Sequence, residues 1–126
     1  MRIAVIGAGA MGSIYGGHLS QHNEVVLVDT NETVVKKITD EGLCIDENDT
    51  TNVYHPSAVS NTKEEKPADL VILFVKALFS RSALEGNRAL IGPNTCLMTL
   101  QNGAGHEDLL KEFVAEDHII IGTTED

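Results

Sequence analysis

The sequence predicts a doubly wound α/β domain, a mainly parallel sheet with helices on both faces, and three observations carry that prediction. Apolar runs alternate with segments of helical periodicity along the chain, the pattern of strands joined by crossover helices. The runs RIAVI (2–6) and DLVILFV (69–75) are apolar at successive positions after their first residue, as strands buried on both faces must be. Gly7, Gly9 and Gly12 stand where the first run meets the first periodic segment, the place where such a fold turns from strand to helix. The 126 residues suit one domain, and 42% hydrophobic against 22% charged residues supply a core.

The elements follow in order. The strand 2–6 stops at Gly7, and Met11, Ile14, Tyr15 and Leu19 recur at helical spacing, predicting a helix over 10–21 with that apolar face on the sheet. Gly16 and Gly17 lower its intrinsic stability by about 1 kcal/mol each relative to alanine, so close packing against a neighbour is expected there. EVVLVD predicts a second strand ending at Asp29. Thr30 or Asn31 can cap the next helix, which carries Val34, Val35 and Ile38 and stops at Gly42. GLCID and NVYHPSAV flank the polar DENDT and predict two short strands joined by a turn, a break in the βαβ rhythm. After the charged KEEK linker, DLVILFV is expected to be the central fourth strand, and 79–91 a helix ended by Gly92-Pro93. TCLMTL (95–100) reads as a strand, QNGAG (101–105) as a loop, Glu107 to Val114 as a helix and HIIIG (118–122) as the last strand.

Charge narrows the partners. Nine Lys and Arg against 19 Asp and Glu give a net charge of −10, which repels nucleic-acid backbones and anionic lipid. No apolar run approaches the roughly 20 residues of a membrane helix. Cys44 and Cys96 are 52 residues apart, since 96 − 44 = 52, with no CxxC, and read as isolated thiols of a reducing compartment; a cytoplasmic location is expected. His18 and His22 are four apart, but Leu19 stands where a zinc-protease helix needs glutamate, so no metal site is expected.

The chemistry should gather where the strands end. Gly7-Ala8-Gly9-Ala10-Met11-Gly12 matches GxGxxG, weak alone but here placed between a predicted strand and a predicted helix. Gly7 permits a tight turn, Gly9 lets the backbone approach a pyrophosphate, and Gly12 lets the helix close on the strand. Asp29, 22 residues after Gly7, stands where an acid accepts hydrogen bonds from the adenine-ribose hydroxyls and repels a 2′-phosphate. On this ground NAD is favoured. Lys76, directly after Val75, could polarise a carbonyl or hold a carboxylate, and Asn102 could donate to substrate or to the nicotinamide carboxamide. Together these features predict a Rossmann-type dinucleotide-binding domain over residues 1–126.

The assembled motifs resemble the N-terminal domain of the ketopantoate reductase (2-dehydropantoate 2-reductase) family. The resemblance rests on RIAVIGAGAMGSIYGGHL, the strand pair around GLCID, ADLVILFVKA, LQNGAGHEDLL and IIIGTT, and spans nearly the whole chain. It implies that Lys76 and Asn102 line the cleft where nicotinamide meets a small 2-keto acid, and that NADPH reduces ketopantoate to pantoate in pantothenate biosynthesis. Family members commonly carry arginine where Asp29 stands, so the resemblance points to NADP and the residue to NAD. The family also has an all-helical C-terminal domain that supplies the catalytic lysine and a substrate-binding acid; this chain stops at Asp126, and no residue of it takes those roles. A truncated chain, a gene fragment or one piece of a split enzyme is therefore expected, inactive alone and prone to self-associate as a homodimer through the faces that domain would cover. Two other readings share part of the motif set: an NAD(H)-sensing module of the potassium-transport type, and another β-hydroxyacid-type dehydrogenase.

Overall fold

A computed structural model describes residues 1–75, 77–99 and 106–121. Strand β1 (Arg2–Ile6) leads through the glycine turn into α1 (Ala10–Leu19), β2 (Glu24–Val28) and α2 (Glu32–Glu41). Strands β3 (Leu43–Glu47) and β4 (Thr50–Tyr54) form a hairpin, followed by β5 (Ser57–Val59) and β6 (Leu70–Leu73). The second half holds α3 (Ser80–Gly86), β7 (Cys96–Thr99), α4 (His106–Lys111) and β8 (Ile119–Ile121). Among the described residues, six strands pair in parallel in the order β5-β2-β1-β6-β7-β8. The strand order reverses between β1 and β6, and ligands of such sheets bind beyond the strand C-termini at that point.

Alternation along the strands builds two cores. Ala4, Ile6, Val26, Val28, Val71 and Leu73 pack with Leu84 of α3, Leu90 and Leu110 of α4 on one face. Ile3, Val5, Val25, Leu27 and Ile72 face the other way, onto Ile38 of α2 and Leu43 and Ile45 of the hairpin. Both faces of the sheet are covered, as the apolar runs predict.

Three elements differ from the sequence reading. The first is α1, whose expected apolar face meets the sheet only in part: Leu19 packs against the core and Tyr15 lies against Phe74, but the other two residues turn outward. Met11 and Ile14 are each 42% exposed, and the helix instead buries Gly12, Gly16 and Gly17. A Cβ on Gly16 would stand 2.5 Å from Leu27 Cδ2, and one on Gly17 would stand 2.7 Å from Ile45 Cδ1. Helical periodicity of large side chains misses a face made of glycines, although the expected close packing at Gly16 and Gly17 is present. The second is NVYHPSAV, which divides at His55-Pro56. Its first part pairs antiparallel with β3 across the two-residue turn Asn48-Asp49, both at positive φ, the conformation a tight hairpin needs. Its second part, β5, joins the main sheet beside β2; proline cannot donate to a ladder and marks the break. The third is the segment 79–91, which is α3 flanked by 3-10 turns at Ala77–Phe79 and Arg88–Leu90. Gly86 and Asn87 interrupt it, and Asn87 Nδ2 donates back to the Ala83 carbonyl at 2.7 Å. The strands expected over 69–75 and 95–100 are shorter, and β6 is central with β1 and β7 as neighbours.

Candidate dinucleotide site

The glycine turn is shaped by contacts that side chains would block. Gly7 has φ +104°, a region that favours glycine, and a Cβ there would meet the Phe74 carbonyl carbon at 3.2 Å. Its N–H donates to the Val28 carbonyl at 2.8 Å, tying the turn to the end of β2. A Cβ on Gly12 would collide with the Gly7 carbonyl oxygen, so Gly12 sets how closely α1 approaches the turn. Gly9 is different: a Cβ there meets nothing within 4 Å. It is the N-cap of α1, with no side-chain cap, at φ −73° and ψ −169°. Open space therefore lies against the backbone at the N-terminus of a ten-residue helix, the arrangement that receives a phosphate.

Asp29 follows the last residue of β2, whose neighbours hold it in place: its N–H donates to the Val59 carbonyl of β5 at 3.1 Å. Its two carboxylate oxygens join two backbones. Oδ2 accepts the Ala8 N–H at 3.0 Å and Oδ1 accepts the Asn31 N–H at 2.9 Å. A carboxylate has about four acceptor positions, so two remain for a ligand. The carboxylate thus sits one hydrogen bond from the glycine turn.

A cleft of about 550 Å³ opens at this end of the sheet, within the roughly 300–1,000 Å³ of small-molecule and cofactor sites. Its floor comes from strand ends, with Ile6 and Gly7 from β1, Val28 and Asp29 from β2 and Val75 after β6. Its far wall is α3 and the turn before it, through Phe79, Ser82, Ala83 and Asn87. Thr62, buried after β5, donates from Oγ1 to Asn87 Oδ1 at 2.8 Å and links that wall to the loop bearing Ser60 and Asn61. Among the described residues that line the cleft, Asp29 is the one ionisable side chain.

Of the residues singled out in the sequence, Gly7 and Asp29 line this cleft, Ala8 is tied to Asp29 through its N–H, and Gly9 and Gly12 follow at the start of α1. Ala10 and Met11 open α1 beside it, with Met11 exposed. Lys76 and Asn102 lie outside the described residues. Phe79, Asn61 and Asn87 were not anticipated. Asn61 follows β5, which the hairpin reading absorbed, and Phe79 and Asn87 bound the interrupted helix. Gly86-Asn87, read as a helix stop, would have exposed that wall.

The hairpin leans on α1 from the opposite side. Glu47 of β3 contacts His18 Nε2 of α1 and accepts from Asn52 Nδ2 at 3.0 Å and Tyr54 Oη at 3.1 Å. Partial burial pushes the Glu47 carboxyl up, but the hydrogen bonds from Asn52, His18 and Tyr54 outweigh it and hold the group below its ordinary value. Among the described residues, no group of three or more His, Cys, Asp or Glu could hold a metal ion, and no helix is long and apolar enough to cross a membrane.

Fold and site together define a Rossmann-type, dinucleotide-binding oxidoreductase domain. Comparison with known proteins narrows the class. Residues 3–126 match the family described as ketopantoate reductase PanE/ApbA, and the chain belongs to that family. It is 39% identical over 127 residues to a 2-dehydropantoate 2-reductase of Lactococcus lactis, covering 98% of this chain and 41% of the relative. It is 34% identical over 125 residues to a 2-dehydropantoate 2-reductase of Streptococcus pyogenes, covering 98% and 40%. The ternary structure of a D-mandelate dehydrogenase with NADH and anilino(oxo)acetate matches with a TM-score of 0.88 and 39% identity, over 98% of this chain and 40% of that one. The chain spans about two fifths of the length of these relatives.

Proposed function

We propose that the chain is the NAD(P)H-binding domain of a 2-keto acid reductase of the ketopantoate type, working in the cytoplasm on ketopantoate as a step of pantothenate biosynthesis. The observation that carries the reading is the glycine turn: open space at Gly9, positive φ at Gly7, and an Ala8 N–H already held by Asp29 at the mouth of the cleft. In this reading, Gly7 to Gly12 receive the pyrophosphate and Asp29 receives the adenine-ribose hydroxyls. Lys76 and Asn102 then face the nicotinamide and the keto acid. The bound nicotinamide supplies hydride to the keto carbon while a proton reaches the keto oxygen, giving the hydroxy acid. No residue of this chain is assigned as that proton donor. A substrate domain beyond residue 126 completes the cleft, and exposed Met11, Ile14, Leu78 and Phe79 support the expectation of a homodimer when that domain is absent.

The cofactor preference proposed is NADH at least equal to NADPH. Asp29 supports it, because a unit charge pair about 4 Å apart is worth roughly 1 kcal/mol in water and about 4 kcal/mol at a partly desolvated site. A solved neighbour 39% identical holds NADH in its described complex, which supports it too. That neighbour, named a D-mandelate dehydrogenase, also favours a second reading: a dehydrogenase of other 2-hydroxy acids on the same domain.

NADH oxidation followed at 340 nm tests both readings, with ketopantoate and with phenylglyoxylate, the oxidised partner of mandelate. The chain alone should show background rates, since losing general acid catalysis costs about 10² to 10⁴ in rate. The chain continued through a helical substrate domain should reduce ketopantoate. Turnover of phenylglyoxylate alone would select the second reading, and turnover of neither would reject both.

A further inference from the structure

The far wall of the cleft carries chemistry that the glycine turn and Asp29 do not use. Asn87, half-buried, caps the C-terminal end of α3 and lines the cleft. Its backbone is fixed on both sides, the N–H donating to the Leu84 carbonyl at 3.2 Å and the carbonyl accepting the Leu90 N–H at 3.0 Å. Its side chain is fixed as well. Nδ2 donates to the Ala83 carbonyl at 2.7 Å, and Oδ1 accepts from Thr62 Oγ1 at 2.8 Å. Thr62 is 1% exposed, a buried hydroxyl for which the proposed reaction has no use. The Ala83 carbonyl decides which end of the amide is nitrogen, since an amide oxygen there would face another acceptor, and Thr62, as the second anchor, fixes the plane. An amide has two N–H donors and two lone pairs on its oxygen, so among the described residues one donor and one acceptor of Asn87 are left over.

We infer that Asn87 is a specificity-determining residue that reads the polar edge of the cofactor's purine base, and that Thr62 is the positioning residue that holds its amide in place. The inference rests on the dinucleotide reading: with the pyrophosphate at the glycine turn and the ribose at Asp29, the base enters the cleft between the strand ends and α3. Ile6, Val28, Val75 and Ala83 give that space apolar surface for a flat ring, and a few placed polar groups in such a site set orientation and specificity. Adenine offers an amino donor beside a ring-nitrogen acceptor, the pattern an asparagine amide matches with both its ends. Oδ1 accepts from the amino group and Nδ2 donates to the ring nitrogen. A base with a carbonyl in place of the amino group sets oxygen against Oδ1, and a free asparagine answers by turning its amide over. Asn87 cannot turn without setting its oxygen against the Ala83 carbonyl, so the site selects adenine over hypoxanthine.

Calorimetric titration of the chain with NADH and with its hypoxanthine analogue, deamino-NADH, reads this selectivity, because the two share pyrophosphate, riboses and nicotinamide and differ only in the base. Wild type should bind NADH about tenfold tighter, the scale of one hydrogen bond exchanged for an unpaired acceptor. Thr62→Ser keeps the hydroxyl and should keep the ratio within about twofold, whereas Thr62→Val removes it with little change of shape and should bring the ratio to about threefold or less. Asn87→Ala should bring it to about one. A ratio of two affinities measured on one variant is not moved by a purely structural loss, and circular dichroism checks that each variant is folded. Wild type that takes up neither cofactor overturns the dinucleotide reading and this inference with it. Wild type that binds both equally overturns the inference alone, with no variant required to fold. A preference that survives in Asn87→Ala takes the role from Asn87, and one that survives in Thr62→Val takes the positioning role from Thr62.

Discussion

Helices α1 and α2 are each ten residues long and lie on the same side of the sheet, yet they reach it by different means. α2 is amphipathic: Asn31 caps it, Ile38 is buried and Gly42 ends it at φ +80°. α1 has no side-chain cap and sends Met11 and Ile14 to solvent, while Gly12, Gly16 and Gly17 bring its backbone against the turn, Leu27 and the hairpin. The difference follows from what each helix does. α2 needs only to cover the sheet, and side chains do that well. α1 must bring its N-terminal N–H groups close to the strand end that opens the cleft, and a layer of large side chains would hold it too far away.

Substitutions at the two contact faces test that contrast most strongly. Gly12→Val puts a branched side chain into the Gly7 carbonyl, and the loss of folding stability should be about 3 kcal/mol or more, since backbone has no rotamer by which to yield. Ile38→Ala in α2 removes apolar volume from a site only 6% exposed and should cost about 2–4 kcal/mol through the cavity it leaves. Urea unfolding measures both. A Gly12→Val chain as stable as wild type would mean that α1 does not depend on close approach.

A smaller effect is expected where the hairpin grips α1. The Glu47 carboxyl, partly buried, is held below its ordinary value by Asn52, His18 and Tyr54. Its contribution to stability is therefore present above the unfolded value near 4.5 and lost as pH falls through the lower folded value. Glu47→Gln should lower the urea midpoint at pH 7 and make little difference at pH 3. An equal shift at both pH values would remove the carboxylate from the account. The smallest effect belongs to the exposed face of α1: Met11→Ser and Ile14→Ser should each change stability by no more than about 0.5 kcal/mol, whereas a loss of 2 kcal/mol or more would restore the apolar-face reading of that helix.

The same contrast explains what the sequence discloses. α2 was legible save for the choice of cap between Thr30 and Asn31, because a cap, a periodic apolar face and a terminal glycine are all side-chain signals. The position of α1 was legible from GxGxxG, but its facing was not, since glycine leaves no mark in a hydrophobic pattern. Asp29 was found from its spacing to Gly7, while its hydrogen bond to the Ala8 N–H depends on the register of β1 against β2. Strand β5 was hidden by its three-residue length behind Pro56, and with it Ser60 and Asn61 of the cleft. Lys76 and Asn102 lie outside the described residues, and their roles rest on their places after the predicted strands and on the family resemblance.

The claim on which the rest depends is that the open face at Gly9 receives a dinucleotide. Titration calorimetry of Gly9→Val with NADH, beside wild type, addresses it directly. A Cβ at Gly9 meets nothing within 4 Å and the backbone is extended there, so valine should leave the circular dichroism native and cost about 1 kcal/mol as a poorer N-cap. The same side chain stands where the pyrophosphate approaches, and NADH binding should fall below detection. A natively folded Gly9→Val chain that binds NADH as tightly as wild type would contradict the assignment of the glycine turn.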